Sequence, residues 1–346
     1  MLKVSFYSYK GGSGRSTTAW NTIERLVKLE KPTAKEPFVI VDTDTESAGS
    51  TFLYKADELF LKDNVYPSVQ RRMTKSDDTN YTDASDSDKE KFFKSMYPVG
   101  TFFGLPESEE KAVLFVGANL DRNSAKDVDA TGTSGDDSEQ MQNFHNNITQ
   151  ACKACGAKAL FFDTPAGTQF LARKSIQESE IIVCCMRPTS QFRQGTRKQL
   201  VSFIQTDIEK KKIGKRKYIL TPTAVCVDPN QKFIFGGEER VYPEKAKIEI
   251  KIEFSADKMQ EGEDVKRAFK ENVLLDMLEP TPVDMKKYPD SEDSESVFGI
   301  PEIKRFKWFE ACLGKLSPAE LSPNDKMAVN RYEYLAKMIL KYCQRQ

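Results

Sequence analysis

Val4-Ser5-Phe6-Tyr7-Ser8-Tyr9-Lys10-Gly11-Gly12-Ser13-Gly14-Arg15-Ser16-Thr17-Thr18 is the stretch on which the fold turns. Residues 2 to 8 read as a short apolar strand, and Ser16 opens a helical pattern through Trp20, Ile23, Leu26 and Val27. A turn with three glycines lies between them. Strand, glycine turn and helix together make a phosphate cradle. Glycines let backbone N–H groups converge, and a helix N-terminus favours an anion. Such a loop normally ends Gly-Lys-[Ser/Thr]; here Arg15 stands where the lysine is expected.

The 346 residues suffice for one large α/β domain or two small ones. Lys+Arg and Asp+Glu both number 52, so bulk charge argues neither for nor against nucleic acid, and only local clusters bear on it. No apolar run approaches the roughly 18 residues of a membrane span, and the first residues read as a core strand rather than a signal peptide. Seven cysteines in a chain of this length do not suggest a disulfide framework, and Cys184 and Cys185 lie in an apolar run as reduced core thiols would. The cytoplasm is the expected compartment. Cys152-Lys153-Ala154-Cys155 is a lone CxxC beside a single histidine, His145, and reads as two thiols near a helix end rather than a zinc site. His145 itself reads as a surface residue.

Further buried strands are expected at 38–41, 112–117, 159–162, 181–186 and 218–220, with helices near 139–155 and 191–209 between them. This alternation predicts an α/β fold with a mostly parallel sheet covered by helices on both faces. Ligands in such sheets bind at the carboxyl ends of the strands, where Asp42-Thr43-Asp44 and Asp163-Thr164-Pro165-Ala166-Gly167 also fall.

Two stretches break the rhythm. Residues 62–110 are acidic and rich in Ser and Thr, and read as a partly flexible insertion. Residues 226–300 form a second insertion: Ile248, Ile250, Ile252 and Phe254 alternate with charges as a half-buried strand would, and a β-hairpin with Phe233–Phe235 is expected. Helices are expected near 302–313 and 324–344. The last carries an apolar stripe of Ala328, Tyr332, Leu335, Ile339 and Tyr342.

Lys10-Gly11-Gly12-Ser13-Gly14-Arg15-Ser16-Thr17 resembles the deviant Walker A motif of the ParA/MinD-type ATPases, K-G-G-x-G-K-[ST]-T, whose mark is the extra leading lysine, here Lys10. Asp42-Thr43-Asp44 resembles that family's D-x-D switch segment, and Phe161-Phe162-Asp163-Thr164-Pro165-Ala166-Gly167 its Walker B strand with the D-x-P-x-G turn. Gly299-Ile300-Pro301 resembles the segment before the family's late helices. The resemblance covers the chain outside the two insertions and implies one P-loop ATPase domain over residues 1–346.

It also implies roles. Backbone N–H groups of Gly12 to Thr17, within the nucleotide-binding run Lys10, Gly11, Gly12, Ser13, Gly14, Arg15, Ser16 and Thr17, would hold ATP phosphates. Ser16 would ligate Mg²⁺ and Asp163 would hold it through water. Asp44 would position the attacking water, and Lys10 would reach the partner's phosphates across an ATP-bound homodimer, making both catalytic. Asp42, Asp44 and Gly167 would belong to the switch segments. Plainer readings stay beside these: a tight turn for the glycines, loop capping for Asp42, Asp44 and Asp163, and a solvated loop lysine for Lys10.

Two positions depart from the family. Arginine at 15 keeps the charge but is longer and forked, so binding could survive while hydrolysis slows. Leu220-Thr221-Pro222-Thr223 lacks the asparagine that contacts adenine in many members. Arg193, Arg197, Lys211, Lys212, Lys215 and Arg216 form a basic cluster, either a DNA-backbone patch or a solvated helix–strand turn. The leading expectation is a nucleotide-dependent dimerisation switch, serving DNA or plasmid partition and stimulated by a partner protein. Alternatives are a slow or inactive ATP sensor in a larger assembly, and a small-molecule P-loop ligase.

Overall fold

The computed structural model describes residues 1–45, 47–54, 69, 72, 86–118, 135–212, 215–225, 232–241, 249–274, 299–307 and 312–343. In chain order the elements begin with β1 (Leu2–Tyr7), α1 (Arg15–Glu30), β2 (Phe38–Asp42), α2 (Gly49–Leu53), α3 (Asp86–Lys94), β3 (Tyr97–Pro98) and β4 (Val113–Val116). Next come α4 (Gly135–Ala154), β5 (Ala159–Asp163), α5 (Phe170–Glu178), β6 (Ile181–Met186), α6 (Ser190–Glu209) and β7 (Lys217–Pro222). The chain continues through β8 (Lys232–Phe235), β9 (Glu238–Val241), α7 (Glu263–Asn272), β10 (Val273–Leu274) and α8 (Pro323–Cys343). The fold is α/β with mostly parallel strands, as expected.

The chain divides into two compact units. The first comprises Met1–Tyr7 and Leu26–Ser179. Its strands run in the order β1-β5-β2-β4-β3, parallel except for β3, which pairs antiparallel with β4. Phe38 to Asp42 and Ala159 to Asp163 are buried along their whole length, the mark of strands covered on both faces. Phe144, Ile148 and Cys152 recur at four-residue spacing on α4 and join Val39, Val41, Leu160 and Phe162 in one core. The β2–β5 register sets Asp42 opposite Asp163, bringing two acidic side chains to the same strand ends.

The second unit comprises Ser8–Arg25 and Glu180–Gln346, with strand order β6-β7-β10, all parallel. The expected stripe on α8 is its buried face: Ala328, Tyr332, Leu335 and Ile339 are at most 2% exposed. Ala328 and Tyr332 share a core with Ile300, Ile303 and Leu313.

Three expectations are corrected. Residues 249–253 are helical, not a strand, because Ile250 and Phe254, four apart, are the two buried side chains, while Ile252 is 42% exposed. The hairpin instead pairs β8 with β9 through the two-residue turn Gly236-Gly237. Both glycines have positive φ (62° and 86°), as a type I′ turn requires. In place of a helix near 302–313 there are short 3₁₀ turns at Lys304–Lys307 and Leu313–Lys315, with residues 308–311 outside the described set. His145 is fully buried rather than superficial, wedged against Phe144 and Phe162. Most of 62–85 lies outside the described residues, as do 226–231, 242–248 and 275–298. Residues 86–112 form α3, β3 and two 3₁₀ turns. No described helix is long and apolar enough to cross a membrane.

Candidate nucleotide site

The glycine loop lies in the second unit, between Ser8 and the start of α1. Gly12 and Gly14 take φ of 74° and 73°, a region that side chains with a Cβ rarely adopt. Two side chains from the ends of neighbouring strands fasten its backbone. Arg187, just after β6, donates from Nε to the carbonyl of Gly12 at 2.8 Å. Thr223, just after β7, donates from its hydroxyl to the carbonyl of Ser13. Trans peptides are planar, so a carbonyl held on one side turns the following N–H to the other. Neither anchor stands out in the sequence as part of the loop. Their position at the carboxyl ends of two buried strands is the signal that could have found them.

The loop opens on a cavity of about 260 Å³ lined by Gly12, Ser13, Gly14, Thr17, Arg187 and Thr223, and closed by Ile300, Pro301, Phe306 and Tyr332. Pro301 is held there by a parallel bridge to Val225. Ala224, also in the wall, has φ of 50°, a left-handed conformation that costs an L-residue roughly 1–2 kcal/mol. Tyr332 hydrogen-bonds the side chain of Thr18, and burial pushes its phenol pKa upward; Glu302, beside Pro301, adds a carboxyl group to the same wall.

The two cations of the motif are placed differently. Lys10 is exposed and donates from Nζ to Gln191 on α6 at 3.2 Å. Arg15 is 7% exposed, and its Nη1 lies 3.5 Å from the hydroxyl of Ser8. Ser16 and Thr17 are half-buried at the start of α1.

The acidic residues lie in the first unit. Asp42 accepts from the N–H of Asp44 at 3.1 Å and from both the N–H and the hydroxyl of Thr51 at 2.8 Å. Those bonds favour the carboxylate, but burial outweighs them, and Asp163 and Asp44 add like charge, raising the Asp42 pKa to about 8. Asp163 accepts from the hydroxyl of Ser50 at 2.5 Å, and Asp44 from the N–H and hydroxyl of Ser47 at 3.1 and 2.6 Å. Three buried aspartates are thus held by Ser47, Ser50 and Thr51, and Ser50 and Thr51 lie on α2. These hydroxyls carry no signal in the sequence, because the contacts depend on α2 folding back over the ends of β2 and β5. Gly167 closes the Asp163 turn with φ of 82°.

Among the described residues no three His, Cys, Asp or Glu side chains converge as a metal cage. The crowding of buried carboxyl groups that holds Asp42 protonated nevertheless fits a divalent cation, whose charge would favour their ionised forms. The ion suited to such a site keeps most of its own waters, as magnesium does.

The basic cluster is split. Arg193 is buried, donating to Glu249 at 2.5 Å and to the carbonyl of Pro188 at 3.0 Å. Arg216 is buried against Asp207, which also accepts from the Tyr218 hydroxyl at 2.8 Å. Arg197 pairs with Glu261 at 3.4 Å. Their charge is committed inside the unit, which removes Arg193 and Arg216 from any exposed patch; Lys211, Lys212 and Lys215 are exposed. Cys152 is buried, and burial pushes its thiol pKa up.

No protein-family model matches the sequence. No curated protein matches it either. Solved structures do resemble it. They include an ATP complex of a McdA variant from Cyanothece, with 12% identity over 99% of this chain and 96% of that one at a TM-score of 0.51. Cobyrinic acid a,c-diamide synthase from Mycobacterium smegmatis, with a bound ATP analogue and magnesium, is 12% identical over 99% and 96%, at 0.54. ParA of pNOB8 bound to nonspecific DNA is 11% identical over the full length of both chains, at 0.51. Likeness at these identities speaks to fold. The fold of this chain is that of the ParA/MinD type of P-loop ATPases.

Proposed function

We propose that the chain is an ATP- and magnesium-dependent dimerisation switch of the ParA/MinD type, with slow hydrolysis stimulated by a partner protein. The observation that carries this reading is the glycine loop: two positive-φ glycines, carbonyls fastened from outside by Arg187 and Thr223, and a cavity at its side. A preorganised ring of N–H donors suits the phosphates of a nucleotide.

In this reading Ser16 and Asp163 would hold magnesium, which when bound neutralises phosphate charge. Asp44 orients a water, and phosphoryl transfer asks for little more than positioning and charge stabilisation. Lys10, exposed at the lip of the loop, is suited to reach a second copy. Nonspecific DNA, the ligand of the pNOB8 ParA structure, is the proposed surface partner, met by Lys211, Lys212 and Lys215.

One observation favours a second reading, an ATP-binding sensor with little turnover. Arg15 is buried beside Ser8, and a cation so placed supplies less to a transition state than the usual loop lysine. Size-exclusion chromatography with light scattering, run with Mg-ATP, Mg-ADP and no nucleotide while phosphate release is followed, separates the two. The switch gives a dimer only with Mg-ATP, and Asp44→Ala prolongs it. A mass indifferent to ATP overturns the switch. Tight ATP binding with wild-type turnover no faster than that of Asp44→Ala supports the sensor.

A further inference from the structure

We infer that Arg187 is the cation that meets the bound phosphates, taking over the task of the lysine missing from position 15. The inference rests on the nucleotide-binding reading above and deepens it.

Arg15 occupies the lysine's place in the sequence but is not among the residues that line the cavity. Its side chain is 7% exposed, with Nη1 3.5 Å from Ser8, in the interior at the foot of the loop. Arg187 is in the opposite situation. It is exposed, it lines the same cavity as Gly12, Ser13, Gly14 and Thr17, and its Nε is tied to the carbonyl of Gly12 at 2.8 Å.

That tie has two consequences. A guanidinium has five N–H donors, and Nε–Gly12 uses one; the four on Nη1 and Nη2 have no hydrogen-bond partner among the described residues. The anchored Nε also fixes the plane of the fork against the loop, so its positioning costs little side-chain entropy when an anion arrives. A planar fork beside a ring of backbone N–H groups matches the paired oxygens of a di- or triphosphate, which arginine takes in two parallel charge-assisted hydrogen bonds. Pro188, directly after Arg187, limits the backbone at this position and helps hold the anchor.

The assignment explains how a loop with a buried arginine in place of lysine keeps a phosphate-facing charge. Charge and anchor come from one side chain at the end of β6, a strand neighbouring the one that supplies Thr223.

The test is isothermal titration of the full chain with adenosine, ATP and inorganic tripolyphosphate, for wild type and for Arg187→Gln and Arg187→Lys. Arg187→Gln is expected to weaken ATP and tripolyphosphate at least tenfold and leave adenosine unchanged. Arg187→Lys should recover only part of the loss, because it restores the charge without the fork or the Nε anchor. A purely structural role for Arg187 would weaken adenosine and ATP alike, and that result overturns the assignment. So does a larger loss of tripolyphosphate affinity in Arg15→Gln, with its fold checked by thermal melting, than in Arg187→Gln. If wild type binds neither ATP nor tripolyphosphate, the nucleotide-binding reading itself falls and the assignment with it.

Discussion

The hydroxyl of Thr223 donates to the backbone carbonyl of Ser13, tying the residue after β7 to the glycine loop across 210 positions of sequence. The same hydroxyl lies 3.2 Å from the carbonyl of Met186, and the Thr223 N–H donates to that carbonyl at 2.8 Å. Thr223 is therefore a strut between two strand ends and the loop. Its hydroxyl is occupied in that task.

Thr223→Val preserves shape and removes the donor. The Ser13 carbonyl then loses this bond in a residue only 2% exposed, a loss of about 1–3 kcal/mol. Urea unfolding should register the destabilisation, and ATP titration a several-fold weaker affinity. Thr223→Ser should restore both. Unchanged ATP affinity in the valine variant would mean that the loop holds its orientation without this bond.

Tyr9 lies against α6 where Gly195 leaves room for it. A Cβ built on Gly195 would sit 2.1 Å from the Tyr9 ring. Gly195→Ala must displace the ring next to Lys10, and overpacking of this kind costs about 1–3 kcal/mol. The double variant Gly195→Ala with Tyr9→Leu should recover part of that loss. A double-mutant cycle in urea reads the coupling, and strict additivity would show that the two side chains do not compete for space.

The glycine loop and the two aspartate turns were legible because each follows an uninterrupted apolar run, and a run of that kind is a buried strand whose carboxyl end is a ligand-facing edge. The period-2 pattern at 248–254 misled because so short a segment also satisfies a helix when its large side chains, Ile250 and Phe254, are four apart. The Glu and Lys between them suit a helix better than a strand. Arg193 read as a surface charge because Glu249, its partner, lies 56 positions away. Ser50 and Thr51 gave no signal at all: hydroxyls are ordinary in a loop until the fold sets them against Asp163 and Asp42.

His145, the chain's only histidine, should leave a mark on acid stability. Burial, with Lys174 next in weight, lowers its pKa to about 3, far below the free value near 6.5. The folded state thus rejects a proton that the unfolded chain accepts. Its contribution is complete above pH 6.5 and is lost as the pH falls toward 3, with a limiting slope of about 1.4 kcal/mol per pH unit. His145→Phe suits the aromatic surroundings of Phe144 and Phe162 and removes Nδ1, which has no hydrogen-bond partner among the described residues, together with the 3.4 Å contact between Nε2 and the Ser175 hydroxyl. Urea midpoints at pH 7, 6 and 5 should fall less steeply for the variant. Parallel profiles would assign the acid sensitivity to other groups.

The basic cluster separates by the same reasoning into residues that hold the fold and residues that face outward. Arg216→Ala leaves Asp207, 4% exposed, without its counter-charge, and breaking a buried pair in this way costs about 3–5 kcal/mol. Any effect of that variant on DNA is expected to follow from lost stability. Lys211 and Lys215 are exposed, and changing both to Glu should leave the urea midpoint within about 0.5 kcal/mol of wild type. If the lysines contact a phosphate backbone, Mg-ATP-dependent binding to duplex DNA should weaken in the double variant. Its salt dependence should flatten by about one counterion per lost contact. Fluorescence anisotropy between 50 and 200 mM salt measures both effects, and an unchanged slope with unchanged affinity would take the lysine turn out of any DNA interface.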